Sequence, residues 1–152
     1  MSIPQGFEPL VSKSPFNGMS GPFYYRLSHH GQPIVGMQVL DKHCNTSGRV
    51  HGAMIAALAD ISLGKTIGVA LVEAGLIQSE PTSKAEQGAG APIATVSLNT
   101  NYIGTASAGD WVESHVTVRK VGRRMAFADA AIINENATIA QCSAVFAVLK
   151  ST

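Results

Sequence analysis

The stretch His51–Ala74, HGAMIAALADISLGKTIGVALVEA, decides how the rest of the chain is read. It opens with small residues and runs Ala53, Met54, Ile55, Ala56, Ala57, Leu58, Ala59 before meeting Asp60. A segment apolar almost all round reads as a helix buried on most sides. About 24 residues at 1.5 Å each span roughly 36 Å, and Gly75 supplies a stop. Residues 53–72 contain Asp60 and Lys65 and are interrupted by Gly64 and Gly68, which argues against a membrane span.

The pattern changes on either side. Upstream, FYYRLSHHGQPIVGMQVLDKH (residues 23–43) reads as strand, turn, strand, with HHGQ as the turn. Downstream come four strand-like runs: IATVSLNTNYI, DWVESHVTVRKV, MAFADAAIIN and ATIAQCSAVFAVL. Val112, Val116 and Val118 alternate with Glu113, His115, Thr117 and Arg119, the period of a half-buried strand. NENA is a hairpin turn and VGRR joins two strands. Residues 1–21 are rich in Pro, Gly and Ser and read as an arm with one helical turn near Glu8. QSEPTSKAEQGAGAP (78–92) reads as a mobile loop. Two strands, one long helix and four strands imply an α+β fold: a curved antiparallel sheet wrapped around one central helix.

Composition narrows the class. At 152 residues the expectation is a single domain over 1–152, long enough to bury a core without metal or disulfide staples. Charged residues are only 14%, against about 25% in an average soluble domain, so part of the surface is expected to be covered by other subunits. A net charge of +1 does not suggest a nucleic-acid or membrane partner. Cys44 and Cys142 form no metal or redox motif and read as free thiols in a reducing cytoplasm. No signal peptide pattern opens the chain, so the expected location is cytoplasmic.

The chemistry concentrates before and within the helix. A helix start offers unpaired N–H groups and the positive end of the macrodipole. Gly52 has no side chain, so a ligand oxygen can approach its N–H, a group that can stabilise an oxyanion. His51 either caps the helix or orients the loop. Asn45 has two readings: a plain Asx-turn, or an amide aimed at a carbonyl or a water. Asp60 has Ala56, Ala57, Leu63 and Gly64 as its helical neighbours, none of them cationic. It is read as a carboxylate in a cleft, nucleophile or general base, rather than one bonded to backbone or to a distant Arg.

Gly52 and Asp60 lie eight residues apart, about 12 Å along the helix axis. A nucleophile must come within about 3–3.5 Å of its target, so the pair cannot serve one carbonyl within one chain. If both are catalytic, Gly52 comes from one subunit and Asp60 from a neighbour with an antiparallel helix.

Other motifs are weaker. ADISLGKT (59–66) imitates a P-loop but lies mid-helix instead of in a Gly-rich loop after a strand. RKVGRR gives Arg119, Lys120, Arg123 and Arg124, either a solvated hairpin end or a phosphate-binding patch. There is no GxSxG elbow. His29 and His30 sit in a turn. His43, Cys44 and His51 lack a fourth ligand, so no metal site is expected.

Asn45 through Gly52, N-x-x-G-x-x-H-G, followed by Asp60 resembles the signature of hotdog-fold acyl-CoA thioesterases, closest to the phenylacetate-pathway type. The likeness extends more loosely over about residues 22–150, including TVSLNTNYI and VGRRMAFADA. The resemblance implies hydrolysis of acyl-CoA to free acid and coenzyme A. Asp60 would be the catalytic carboxylate, and the Gly52 N–H would hold the thioester oxygen. Asn45 would position water or polarise the carbonyl, and His51 would support the thioester end. Thr95 would help orient the water. Arg119, Lys120, Arg123 and Arg124 would meet the phosphates of coenzyme A. No cofactor is implied beyond the coenzyme A of the substrate. Dimers, often paired into tetramers, with sites at the interface are implied too. The family commonly has a second Gly where this chain has Ala53, which bears on acyl preference. Two alternatives remain open: a hotdog protein that binds acyl-CoA without turnover, and a thioester hydratase or dehydratase, whose usual His–acid spacing is not found.

Overall fold

The computed structural model describes residues 2–78 and 90–150. The strands are β1 (Glu8–Pro9), β2 (Tyr24–Leu27), β3 (Pro33–Gln38), β4 (Ile93–Tyr102), β5 (Trp111–Val121), β6 (Met125–Asn134) and β7 (Ala137–Val148). The helices are α1 (Pro15–Ser20) and α2 (Gly52–Glu73). All strand pairs are antiparallel, in the order β1-β2-β3-β5-β6-β7-β4. The sheet is wrapped round α2, as expected of a hotdog fold.

Both ends of α2 follow from local chemistry. His51 is the N-cap, its Nδ1 accepting the Ala53 N–H at 3.0 Å. At the other end Gly75 adopts φ +67°, with Gly75 N–H donating to Val72 O and Leu76 N–H to Leu71 O. That pair of bonds satisfies two orphan carbonyls and requires a left-handed residue. By length and composition α2 could cross a membrane, but it is mostly buried against the sheet.

Leu58, Leu63, Ile67 and Leu71 are fully buried, each contributing roughly 1.5–3 kcal/mol by leaving water. They meet Val35 and Met37 of β3 and Val112 of β5. The inner faces of β6 and β7 carry Ala126, Ala128, Ala130, Ala140 and Ala144 beside Ile132, Cys142 and Phe146, and the alanines let the helix lie close. Ala53, Ala56, Ala57, Asp60 and Gly64 form a small-residue stripe of α2 that is not buried.

Two expectations need correction. Three strands precede α2, not two, because Glu8–Pro9 pairs with Tyr24 and Tyr25 where a helical turn was expected. Pro9 is the reason, since a residue before proline is pushed towards extended backbone. The helical turn of the arm lies later, at Pro15–Ser20, where Ser14 caps the start and Pro15 occupies the first helical position. The loop read over 78–92 falls mostly outside the described residues.

Three strand pairs slip in register, one of them β6–β7, where Ile132 faces Ala140 and Ile133 faces Thr138. In β4 the register slips between Thr95 and Ser97, and in β5 between Val118 and Lys120. The second turns Arg119 and Lys120 both outward and returns Val121 towards the core.

Candidate active site

The loop before α2 is stapled at several points. Cys44 and Val50 form an antiparallel bridge, and Asn45 N–H donates to Arg49 O at 2.8 Å. Val50 N–H donates to Ala106 O and His51 N–H to His43 O, both at 2.8 Å. Gly48 takes φ +72°, which favours glycine at that turn. His43 is buried, and its Nδ1 accepts the Leu40 N–H at 3.0 Å. Burial pushes the His43 pKa below its ordinary value, against nearby backbone carbonyls that raise it.

Asn45 forms the Asx-turn. Its Oδ1 accepts from Ser47 N–H at 2.9 Å and Arg49 N–H at 3.2 Å. The carbonyl oxygen is thus committed to the loop, and the exposed Nδ2 group is the part left to donate outward.

The first turn of α2 uses its donors unevenly. Ala53 N–H goes to the His51 ring, and Met54 and Ile55 N–H both go to His51 O. Among the described residues, Gly52 N–H has no partner. It sits at the positive end of a 22-residue helix, the arrangement that receives an anionic oxygen. His51, with Nδ1 accepting, carries its ring proton on Nε2 when neutral.

Asp60 lies two turns on, half-buried on the small-residue stripe. Thr95 Oγ1 donates to Asp60 Oδ1 at 2.7 Å. Among the described residues Asp60 joins no salt bridge. A carboxylate held by a hydroxyl through one oxygen keeps its charge and its second oxygen for other work.

Tyr102, at the far end of the strand that carries Thr95, was missed in the sequence. Its hydroxyl donates to Gly52 O at 2.9 Å. A Cβ on Gly52 would lie 3.3 Å from the Tyr102 ring.

The basic hairpin is less uniform than its sequence. Arg119 Nε donates to Asp129 Oδ2 at 2.6 Å, while Lys120, Arg123 and Arg124 are exposed without an ion pair among the described residues. Thr95 pairs with Phe146, Phe146 with Ala126 and Ala126 with Val121. The hairpin therefore sits at the same sheet end as Thr95 and Asp60, three strands across. Gly52 and Tyr102 lie at the opposite end. Among the described residues no group of three or more His, Cys, Asp or Glu could hold a metal ion.

Residues 47–140 match the family described as the thioesterase superfamily. The chain belongs to that superfamily. A candidate esterase of Pseudomonas aeruginosa, PA0474, is 36% identical over 146 residues, which cover 96% of this chain and 97% of that protein. The phenylacetic acid degradation protein PaaI of Thermus thermophilus superposes with a TM-score of 0.66 at 22% identity, covering 90% of this chain and 100% of that one. The BH2602 protein of Bacillus halodurans, solved with CoA, superposes at 0.62 with 18% identity, covering 84% and 74%. Superfamily membership makes this chain a thioester hydrolase in the broad sense and agrees with the expected hotdog fold.

Proposed function

We propose that this protein hydrolyses acyl-CoA thioesters to a free acid and coenzyme A, at sites shared between two copies of the chain. The unpaired Gly52 N–H carries the reading, because it is a single open donor at a helix start whose other first-turn donors are filled. It would receive the thioester oxygen as negative charge develops there. Asp60 of the other copy, oriented by Thr95, would activate a water or attack the thioester carbon itself. Asn45 Nδ2 would donate to the carbonyl or the water, and His51 would fix the helix start.

The edge of the sheet supports the sharing. β4 is an edge strand of ten residues, with Val96 58% exposed. A long bare edge is a template for pairing with another chain. Two β4 strands joined antiparallel about a two-fold axis would continue the sheet and set the two α2 helices antiparallel. A pairing centred near Leu98 would bring the Thr95 end of one copy against the Tyr102 end of the other. Coenzyme A is supported as the carrier by the CoA-bound Bacillus halodurans relative and by the exposed Lys120, Arg123 and Arg124.

The test uses thiol release from a panel of acyl-CoAs. Asp60→Asn and Gly52→Pro proteins should each be nearly inactive. Mixed and allowed to exchange subunits, they should regain up to about a quarter of wild-type activity, since half the dimers then carry one intact site of two. No recovery in verified mixed dimers would overturn the shared site. Binding of acyl-CoA without thiol release would assign a carrier or sensor instead.

A further inference from the structure

Resting on that reading, we infer that Tyr102 is a positioning residue that fixes the direction of the Gly52 N–H. The glycine is flanked by two peptide planes. His51 O, in the plane that carries the Gly52 N–H, is held by Met54 and Ile55 N–H. Gly52 O, in the following plane, takes the Tyr102 hydroxyl at 2.9 Å. Glycine has the widest backbone freedom of any residue, so a donor built on it needs anchoring on both sides.

The bond is not required to satisfy the carbonyl. As the first residue of α2, Gly52 already presents that oxygen to Ala56 N–H in the helical ladder. Tyr102 is 52% exposed, so water could satisfy its hydroxyl equally well. What the contact adds is alignment. The ring stands close enough that any side chain at position 52 would press on it, making glycine and tyrosine a matched pair. β4 then holds both halves of the machinery: Thr95 sets Asp60 and Tyr102 sets Gly52.

Tyr102→Phe keeps the ring and removes the hydroxyl. The expected result is a fall in kcat of about five- to tenfold with KM unchanged, the size of one hydrogen bond. The Gly52 carbonyl-carbon resonance should move upfield, with Thr95 and Asp60 resonances unmoved. An unchanged kcat, or a raised KM with kcat intact, overturns the inference and leaves the hydrolase reading standing. If the wild-type protein releases no thiol from any acyl-CoA, that reading falls. The Gly52 N–H residual dipolar coupling then decides the inference alone: a coupling changed in Tyr102→Phe supports a fixed N–H direction, and an unchanged one overturns it.

Discussion

Thr95 Oγ1 lies 2.7 Å from Asp60 Oδ1, and among the described residues this hydroxyl, not a cation, is the partner of the Asp60 carboxylate. A neutral donor fixes the carboxylate in space without cancelling its charge. Thr95→Val should therefore lower kcat by about tenfold or more, the weight of a hydrogen bond to a charged group. Thr95→Ser should stay near wild type. Steady-state thiol release on the preferred acyl-CoA measures both.

Gly52→Pro removes the N–H and sets a ring against Tyr102. Proline suits the first helical position, and His51 already has the extended backbone that precedes proline, at φ −68° and ψ 138°. The ring must shift slightly from Tyr102. We expect kcat to fall about 10²- to 10³-fold, the cost of one oxyanion donor. The melting temperature should stay near that of the wild type, which differential scanning calorimetry would check.

Arg119 and its neighbours should separate by partner. Arg119 is engaged by Asp129, whereas Arg123 and Arg124 are exposed. Arg123→Ala with Arg124→Ala should raise KM for acyl-CoA several-fold. Arg119→Ala should raise it less. The difference should shrink as salt rises, because exposed charges are screened. A shorter acyl-pantetheine substrate, which lacks the nucleotide phosphates, should not distinguish the variants.

His43 gives a pH signature. Burial holds its pKa below 6.5 in the folded chain. The unfolded chain takes up that proton near pH 6.5, so the contribution to stability is complete above that pH. It is lost as pH falls from 6.5 towards the folded value. Denaturant unfolding at about pH 7.5 and about pH 5.5 should show the loss in wild type. His43→Asn, which offers an acceptor near the Nδ1 position but does not titrate, should show a flatter profile.

Gly36 tests packing away from the site. A Cβ there would run into the Trp111 ring, which stacks edge-on with Phe7 at 4.8 Å. Gly36→Ala should cost about 1–3 kcal/mol of stability as an overpacked position. Its kcat should be unchanged.

What could be read from the sequence was local. The start and stop of α2 are written in His51, Gly52 and Gly75, and the oddity of Asp60 is plain from its four nearest helical neighbours. The Asx-turn at Asn45 needed only the next few residues. Partners across the sheet were less legible. Thr95 entered through family resemblance, and no spacing rule links it to an acid 35 residues earlier. Tyr102 passed unnoticed because its contact with Gly52 depends on how β4 lies along α2. Asp129 holding Arg119 depends on a register that slips within β5. The strand at Glu8 is legible in Pro9, which pushes the residue before it towards extended backbone.

The bulge at Val96 settles a question of odd and even. Thr95 and Tyr102 are seven positions apart, and an unbroken strand sends residues at odd intervals to opposite faces. One extra residue between Thr95 and Ser97 changes the count, so both side chains turn inward to the same helix. Without that irregularity the same sequence would aim Thr95 at solvent and leave Asp60 unsupported.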